Sequence, residues 1–189
     1  MTTTGRAVHL PRAAAALRLP LWQRSQQRLR ERYGFDMDAP DALDRARALV
    51  AENPSDPEMA LLLGSVLSTR GETDLAEMEV RRALELAPRL PRAHTTLATL
   101  LMNRGMQEEA LRSARDATAL DKEDPTILYN LGLAEWFAGD RSKARDALDR
   151  AGDALAGATA AAVSGEPGDD GSATTVRHRR RWWRLGRRD

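Results

Sequence analysis

Groups able to carry out catalysis are few and badly spaced. The three histidines, His9, His94 and His178, lie far apart, and the 189-residue chain has no cysteine. Metal ligands and activated nucleophiles need partners at short, fixed spacings or held together by a pocket, and no such pattern is present. Adjacent carboxylates occur at Glu108-Glu109 and Asp169-Asp170. Without an apolar pocket to shift their proton affinity they read as solvated charge. The stretch GEPGDDGS is glycine-rich, but it is acidic and no helix follows it to present amide groups to a phosphate. The expectation is therefore a protein without catalytic, metal-binding or cofactor-binding residues, and not an enzyme.

Chemistry of another kind is concentrated at the end of the chain. The last thirteen residues, RHRRRWWRLGRRD, carry seven arginines. Within them Arg177, Arg179, Arg180, Arg181, Trp182, Trp183 and Arg184 form one run. Arginine forks suit phosphate groups, and tryptophan suits membrane interfaces or base stacking. An anionic membrane surface, a nucleic acid, an acidic protein face (the protein's own repeats included) and plain solvation are all open for this tail. The charge elsewhere is uneven. Residues 1–35 carry a net +6, residues 36–155 a net −8 and residues 156–189 a net +3. An acidic middle between basic ends points to interaction tails rather than to a uniformly basic nucleic-acid binder.

The start of the chain, MTTTGRAVHLPRAAAALRLPLW, has no uninterrupted apolar run of secretory length, because Arg12, Arg18, Pro11 and Pro20 break it. No segment approaches the about 20 apolar residues of a membrane-spanning helix. A cytoplasmic location is expected, with residues 1–22 a flexible basic segment in which the two prolines oppose a helix.

The elements that would position a binding surface come from an internal repeat. Ala42, Ala76, Ala110 and Ala144 are spaced by 34 residues, as are Leu29, Leu63, Leu97 and Leu131. Leu49, Ala83, Ala117 and Ala151 keep the same step, and so do Gly71, Gly105 and Gly139, and Pro57, Pro91 and Pro125. Each unit reads as two helices. Proline opens the first at a position where its missing N–H costs nothing, with Asp56 or Ser55 before Pro57 able to cap. Apolar residues then recur at helical spacing, glycine ends the helix, and Thr73 or Asp74 can cap the second. Small residues at Gly64, Ala98 and Gly132 face small residues at Ala76, Ala110 and Ala144, which lets two antiparallel helices approach closely. The units fall at 57–90, 91–124 and 125–158. Residues 23–56 form a weaker unit, a degenerate helical pair with Arg30 in the small slot, and residues 159–189 a flexible linker and the basic tail.

With Leu63-Gly64, Leu67, Ala76, Val80, Ala83 and Pro88 in one 34-residue unit, the pattern resembles the tetratricopeptide repeat family. There are departures: Ala60 and His94 stand where the family often has Trp, Lys122 replaces the closing Pro, and Glu135 replaces an apolar residue. The resemblance implies an all-α, right-handed superhelical solenoid of antiparallel helix pairs. It implies that the first helix of each unit lines a concave groove that binds a protein or peptide as a scaffold or adaptor, with self-association open. Groove positions by this resemblance are Glu58, Leu61, Ser65, Ser68 and Thr69, then Arg92, Thr95, Thr99, Met102 and Asn103, then Thr126, Tyr129, Leu133, Trp136 and Phe137. Tyr129 and Trp136 stand out as aromatic anchors beside Arg92 and Asn103 as polar contacts. The alternative for Trp136 and Phe137 is packing against a neighbouring helix or the tails.

Overall fold

The computed structural model describes residues 11–164, and among these it contains helices and no strand. The helices are α1 (Arg12–Tyr33), α2 (Ala42–Glu52), α3 (Pro57–Thr69), α4 (Thr73–Leu86), α5 (Pro91–Asn103), α6 (Gln107–Leu120), α7 (Pro125–Phe137) and α8 (Arg141–Ser164). The chain divides into two compact units at Ala156. Of the second, the structure describes only residues 157–164, which are helical.

From α3 onward the sequence register becomes geometry. Proline occupies the first turn of α3, α5 and α7. The Asp56 carboxylate accepts from the Glu58 N–H at 2.8 Å, and Asp124 accepts from the N–H groups of Thr126 and Ile127 at 2.7 and 3.3 Å. Each of these first helices stops in the same way. Gly71, Gly105 and Gly139 have φ of 79°, 75° and 93°. The next N–H reaches back to Leu67, Leu101 or Glu135, and the glycine N–H to Ser68, Met102 or Trp136. This double closure satisfies carbonyls that a helix end otherwise leaves bare. Neither Thr73 nor Asp74 caps α4; its first turn has no side-chain cap, and the Thr73 hydroxyl turns back to the Gly71 carbonyl.

The small slots set the helix separation. A methyl group placed on Gly64 would lie 2.8 Å from Val80 Cγ2 and 3.1 Å from the Ala76 carbonyl oxygen. On Gly132 it would lie 2.7 Å from Leu148 Cγ and 3.2 Å from the Ala144 oxygen. The α3/α4 and α7/α8 pairs thus touch closely through the positions the repeat keeps small, and α5 packs on α6 with Ala98 and Ala110 both fully buried. The first member of the alanine column, Ala42 on α2, is fully buried against the α3 side of the array.

Three expectations need correction. Residues 12–22 are not a loose segment: they form the first half of the 22-residue α1, which passes through Pro20. An interior proline costs about 3 kcal/mol in a helix, and the burial of Ala14, Leu21 and Leu29 on one side of α1 offsets it. Nor do residues 23–56 form an antiparallel pair. No Cα of α1 lies within 8 Å of one in α2; α1 packs on α7 instead. Finally, the helix at the end of the third unit continues to Ser164, past the expected linker start. Alanine, the best helix former, dominates that stretch.

Candidate functional site

Helices α3, α5 and α7 lie side by side and present one face, and α1 lies over it. The amino-terminal half of α1 places Ala14, Leu17 and Leu21 in a cluster with Leu128, Tyr129 and Leu148 of α7 and α8. Its carboxy-terminal half meets the face through Leu29, which is buried in the main core with Tyr33 packed beside it, and through charge. Arg28 Nη2 donates to Asp124 Oδ2 at 3.3 Å, and Arg32 lies 3.9 Å from Glu58 Oε1. Asp124 thereby caps α7 with one oxygen and holds α1 with the other. Glu58 also accepts from Arg92 Nη1 at 3.2 Å, a pair joining the same position of successive repeats. Burial holds the Arg92 guanidinium below its ordinary proton affinity, with Glu58 opposing that shift.

Between α1 and the three helices remains a cavity of about 260 Å³, with Ser65, Arg92, Thr95, Thr99 and Asn130 among its lining residues. The Thr99 hydroxyl donates to Asn130 Oδ1 at 2.9 Å, and the Asn130 amide donates to the Thr126 carbonyl at 2.8 Å. Among the described residues, three buried side-chain polar atoms have no hydrogen-bond partner: Gln26 Oε1, Tyr33 Oη and Thr126 Oγ1. All three residues line this cavity, and such an atom costs about 1–3 kcal/mol. Burial, then the Glu58 carboxylate, raises the Tyr33 phenol above its usual value. The seam between α1 and the groove is thus a less complete fit than the seams within the repeats.

The expected site residues divide. Arg92, Thr95 and Thr99 line the cavity, as do Glu58, Leu61, Ser65, Ser68, Thr69 and Thr126. Met102 packs against the apolar core, and Asn103 is exposed at the end of α5. Tyr129 is not an open anchor: it is 8% exposed, in the cluster that α1 enters, and Leu133 lies at the edge of that cluster. Burial raises the Tyr129 phenol as well. Trp136 is half-buried with the Arg141 guanidinium 3.6 Å from its ring centroid, and Phe137 is half-buried beside it in sequence. Trp136→Ala should therefore lower stability by about 2 kcal/mol, because it removes the partly buried indole together with its cation–π contact to Arg141. Affinity per folded molecule for a groove ligand should stay unchanged; thermal melting and a binding titration on the one variant check both. The basic-tail residues Arg177, Arg179, Arg180, Arg181, Trp182, Trp183 and Arg184 lie outside the described residues.

Gln26, Arg28, Tyr33, Asp124 and Asn130 belong to the groove and are absent from the positions that the repeat pattern marks. A signal for α1 exists in the sequence. Ala14, Leu17, Leu21, Arg28 and Arg32 fall on one helical stripe, and Gly34 stops α1 37 residues before Gly71, three residues out of the repeat register.

No family model matches the sequence, and no curated protein matches it. Solved structures do. YrrB, described as a TPR protein with an unusual peptide-binding site, is 26% identical with a TM-score of 0.52, covering 66% of this chain and 64% of its own. The fold is that of the tetratricopeptide repeat. The thermophilic TPR protein TTC0263 of Thermus thermophilus shares it at 23% identity and a TM-score of 0.56, over 71% of this chain and 72% of its own. MamA does so at 18% and 0.52, over 69% of each chain. These neighbours share the tetratricopeptide repeat fold with this protein, and this chain spans just under two thirds of the length of YrrB. Among the described residues of this tetratricopeptide array, no group of three or more acidic, histidine or cysteine side chains could hold a metal ion. No described helix is long and apolar enough to cross a membrane.

Proposed function

We propose that this protein is a non-catalytic interaction module of the cytoplasm, a scaffold or adaptor that binds a protein or peptide along the concave face of its tetratricopeptide array. One observation carries the reading: that face already accommodates a helix, α1, through apolar packing at one end and ion pairs at the other. Likeness to a protein described by its peptide-binding site supports it. Arg92, Thr95 and Thr99 line the space left beneath α1. Tyr129 and Leu133 join the site when α1 moves aside, Met102 and Asn103 form its rim, and Trp136 and Phe137 serve packing outside it. The alternative reading gives binding to the Arg/Trp tail, acting on an anionic membrane surface or a nucleic acid; its support is the density of arginine beside Trp182 and Trp183.

A pull-down from native extract with three baits separates the two readings. The wild-type chain, a chain ending at Ser164, and full-length Thr99→Trp, which fills the cavity, are compared by mass spectrometry. Groove binding predicts that the truncated chain keeps the wild-type partner and that Thr99→Trp loses it at least tenfold. The reverse pattern assigns binding to the tail.

A further inference from the structure

We propose that α1 is a built-in occupant of the groove, and that the partner presents a helix of the same chemistry which binds by taking its place. This rests on the reading of the concave face as the binding site and names what that site selects. The stripe of α1 that meets the groove carries Ala14, Leu17, Leu21, Arg28 and Arg32. In helical terms these are positions i, i+3, i+7, i+14 and i+18, one face over five turns. The first three enter the apolar patch of Leu128, Tyr129 and Leu148. The arginines reach the two carboxylates of the groove, Asp124 and Glu58. The partner segment is thus a basic amphipathic helix: small and aliphatic side chains at its start, arginines two to three turns further on.

Several features make α1 replaceable rather than permanent. Its backbone does not approach α2, and residues 34–41 join the two as a connection. It carries the unfavourable Pro20 in its interior and follows Pro11 without a side-chain cap. The arginines that hold it are a third and more than half exposed, at 33% and 57%. Gln26 and Tyr33 of α1 and Thr126 of α7 each bury an unpartnered polar atom in the seam. Leu19 and Trp22 on α1 are exposed while it sits there. A groove filled by a tethered segment admits a competitor only at a high concentration or with a better fit, since a short tether supplies about millimolar effective concentration.

The test uses full-length protein and a fluorescein-labelled peptide of residues 11–33, read by fluorescence anisotropy. Wild type should bind the peptide weakly. Full-length Leu17→Asp/Leu21→Asp, whose own α1 is loosened, should bind it at least tenfold more tightly. Adding Asp124→Asn, which keeps the helix cap and removes the charge, should cut that gain at least threefold. A peptide carrying Arg28→Glu and Arg32→Glu should bind at least tenfold more weakly. Full-length Arg28→Glu, which leaves the apolar contacts in place, provides a second loosened chain, and circular dichroism establishes that each variant is folded. Peptide binding no tighter to either loosened chain than to wild type overturns the inference, as does binding indifferent to Asp124. If the groove-filling Thr99→Trp bait still loses its captured partner in that case, the concave-face reading stands and only the helical exchange falls. If capture survives Thr99→Trp, both fall.

Discussion

Ala110→Trp is expected to cost about 3 kcal/mol of folding free energy, the upper end for forcing volume into a packed core. Ala110 is fully buried on α6. The equivalent positions Ala76 and Ala144 put their carbonyl oxygens within 3.1 and 3.2 Å of where a methyl on Gly64 or Gly132 would stand. An indole in that column has nowhere to go unless α5 and α6 separate. In a solenoid, stability sums over units and the interfaces between neighbours, and α6 contacts both its own partner α5 and the following α7. A loss of this size is a large part of the 5–15 kcal/mol typical of a domain. Urea unfolding followed by circular dichroism measures it. Ala119→Trp, on the exposed side of the same helix, serves as the control and should stay within about 0.5 kcal/mol of wild type. Equal midpoints for the two variants would refute the register.

The second large effect comes from a charge in an apolar slot. The Glu135 side chain is 5% exposed, and its Oε1 accepts from Arg115 Nε and Nη2 at 3.3 and 2.9 Å. Arg115→Met should cost about 1–3 kcal/mol, because it leaves a buried carboxylate without its donor. Glu135→Leu restores the apolar residue found at Leu67 and Leu101 in the preceding units. It should be neutral or stabilising, as replacing a buried ion pair by apolar groups often is. The double variant should then resemble Glu135→Leu alone, a strongly non-additive cycle. Melting curves of the four proteins decide this, and a destabilised Glu135→Leu would show that the ion pair is a net stabiliser.

The repeat columns locate α3 to α8 because each column meets a steric demand that recurs: a small residue where helices touch, a glycine where the backbone turns left-handed, a proline where no donor is needed. Glu135 departs from its column, and the sequence offers no local partner for it. Arg115 lies on the preceding helix, 20 residues away, so only the folded array brings them together. Helix α1 escapes a sequence reading for two physical reasons. Pro20 carries a local penalty that apolar burial over α7 and α8 overrides. And Leu29, though it keeps the 34-residue spacing, is buried without belonging to a first helix paired with α2. The groove suffers in turn. Tyr129 sits on the correct face, but a helix whose sequence reads as a flexible segment covers it.

The contact of α1 with α7 has a consequence for how the array unfolds. A solenoid holds only near-neighbour contacts, so its ends can fray while its middle stays folded. Here Arg28 and Asp124 are 96 residues apart in sequence, and the first described helix lies on the seventh. That link turns an open row into a closed loop: opening either end must break the contact or carry the other end with it. It also raises the average sequence separation of contacts, which slows folding relative to a helical row of local contacts. With α1 seated, amide exchange in α7 and α8 should track exchange at the opposite end of the row. Once another helix has taken its place, the two ends become independent again, so occupancy of the groove would be legible in the cooperativity of the whole chain.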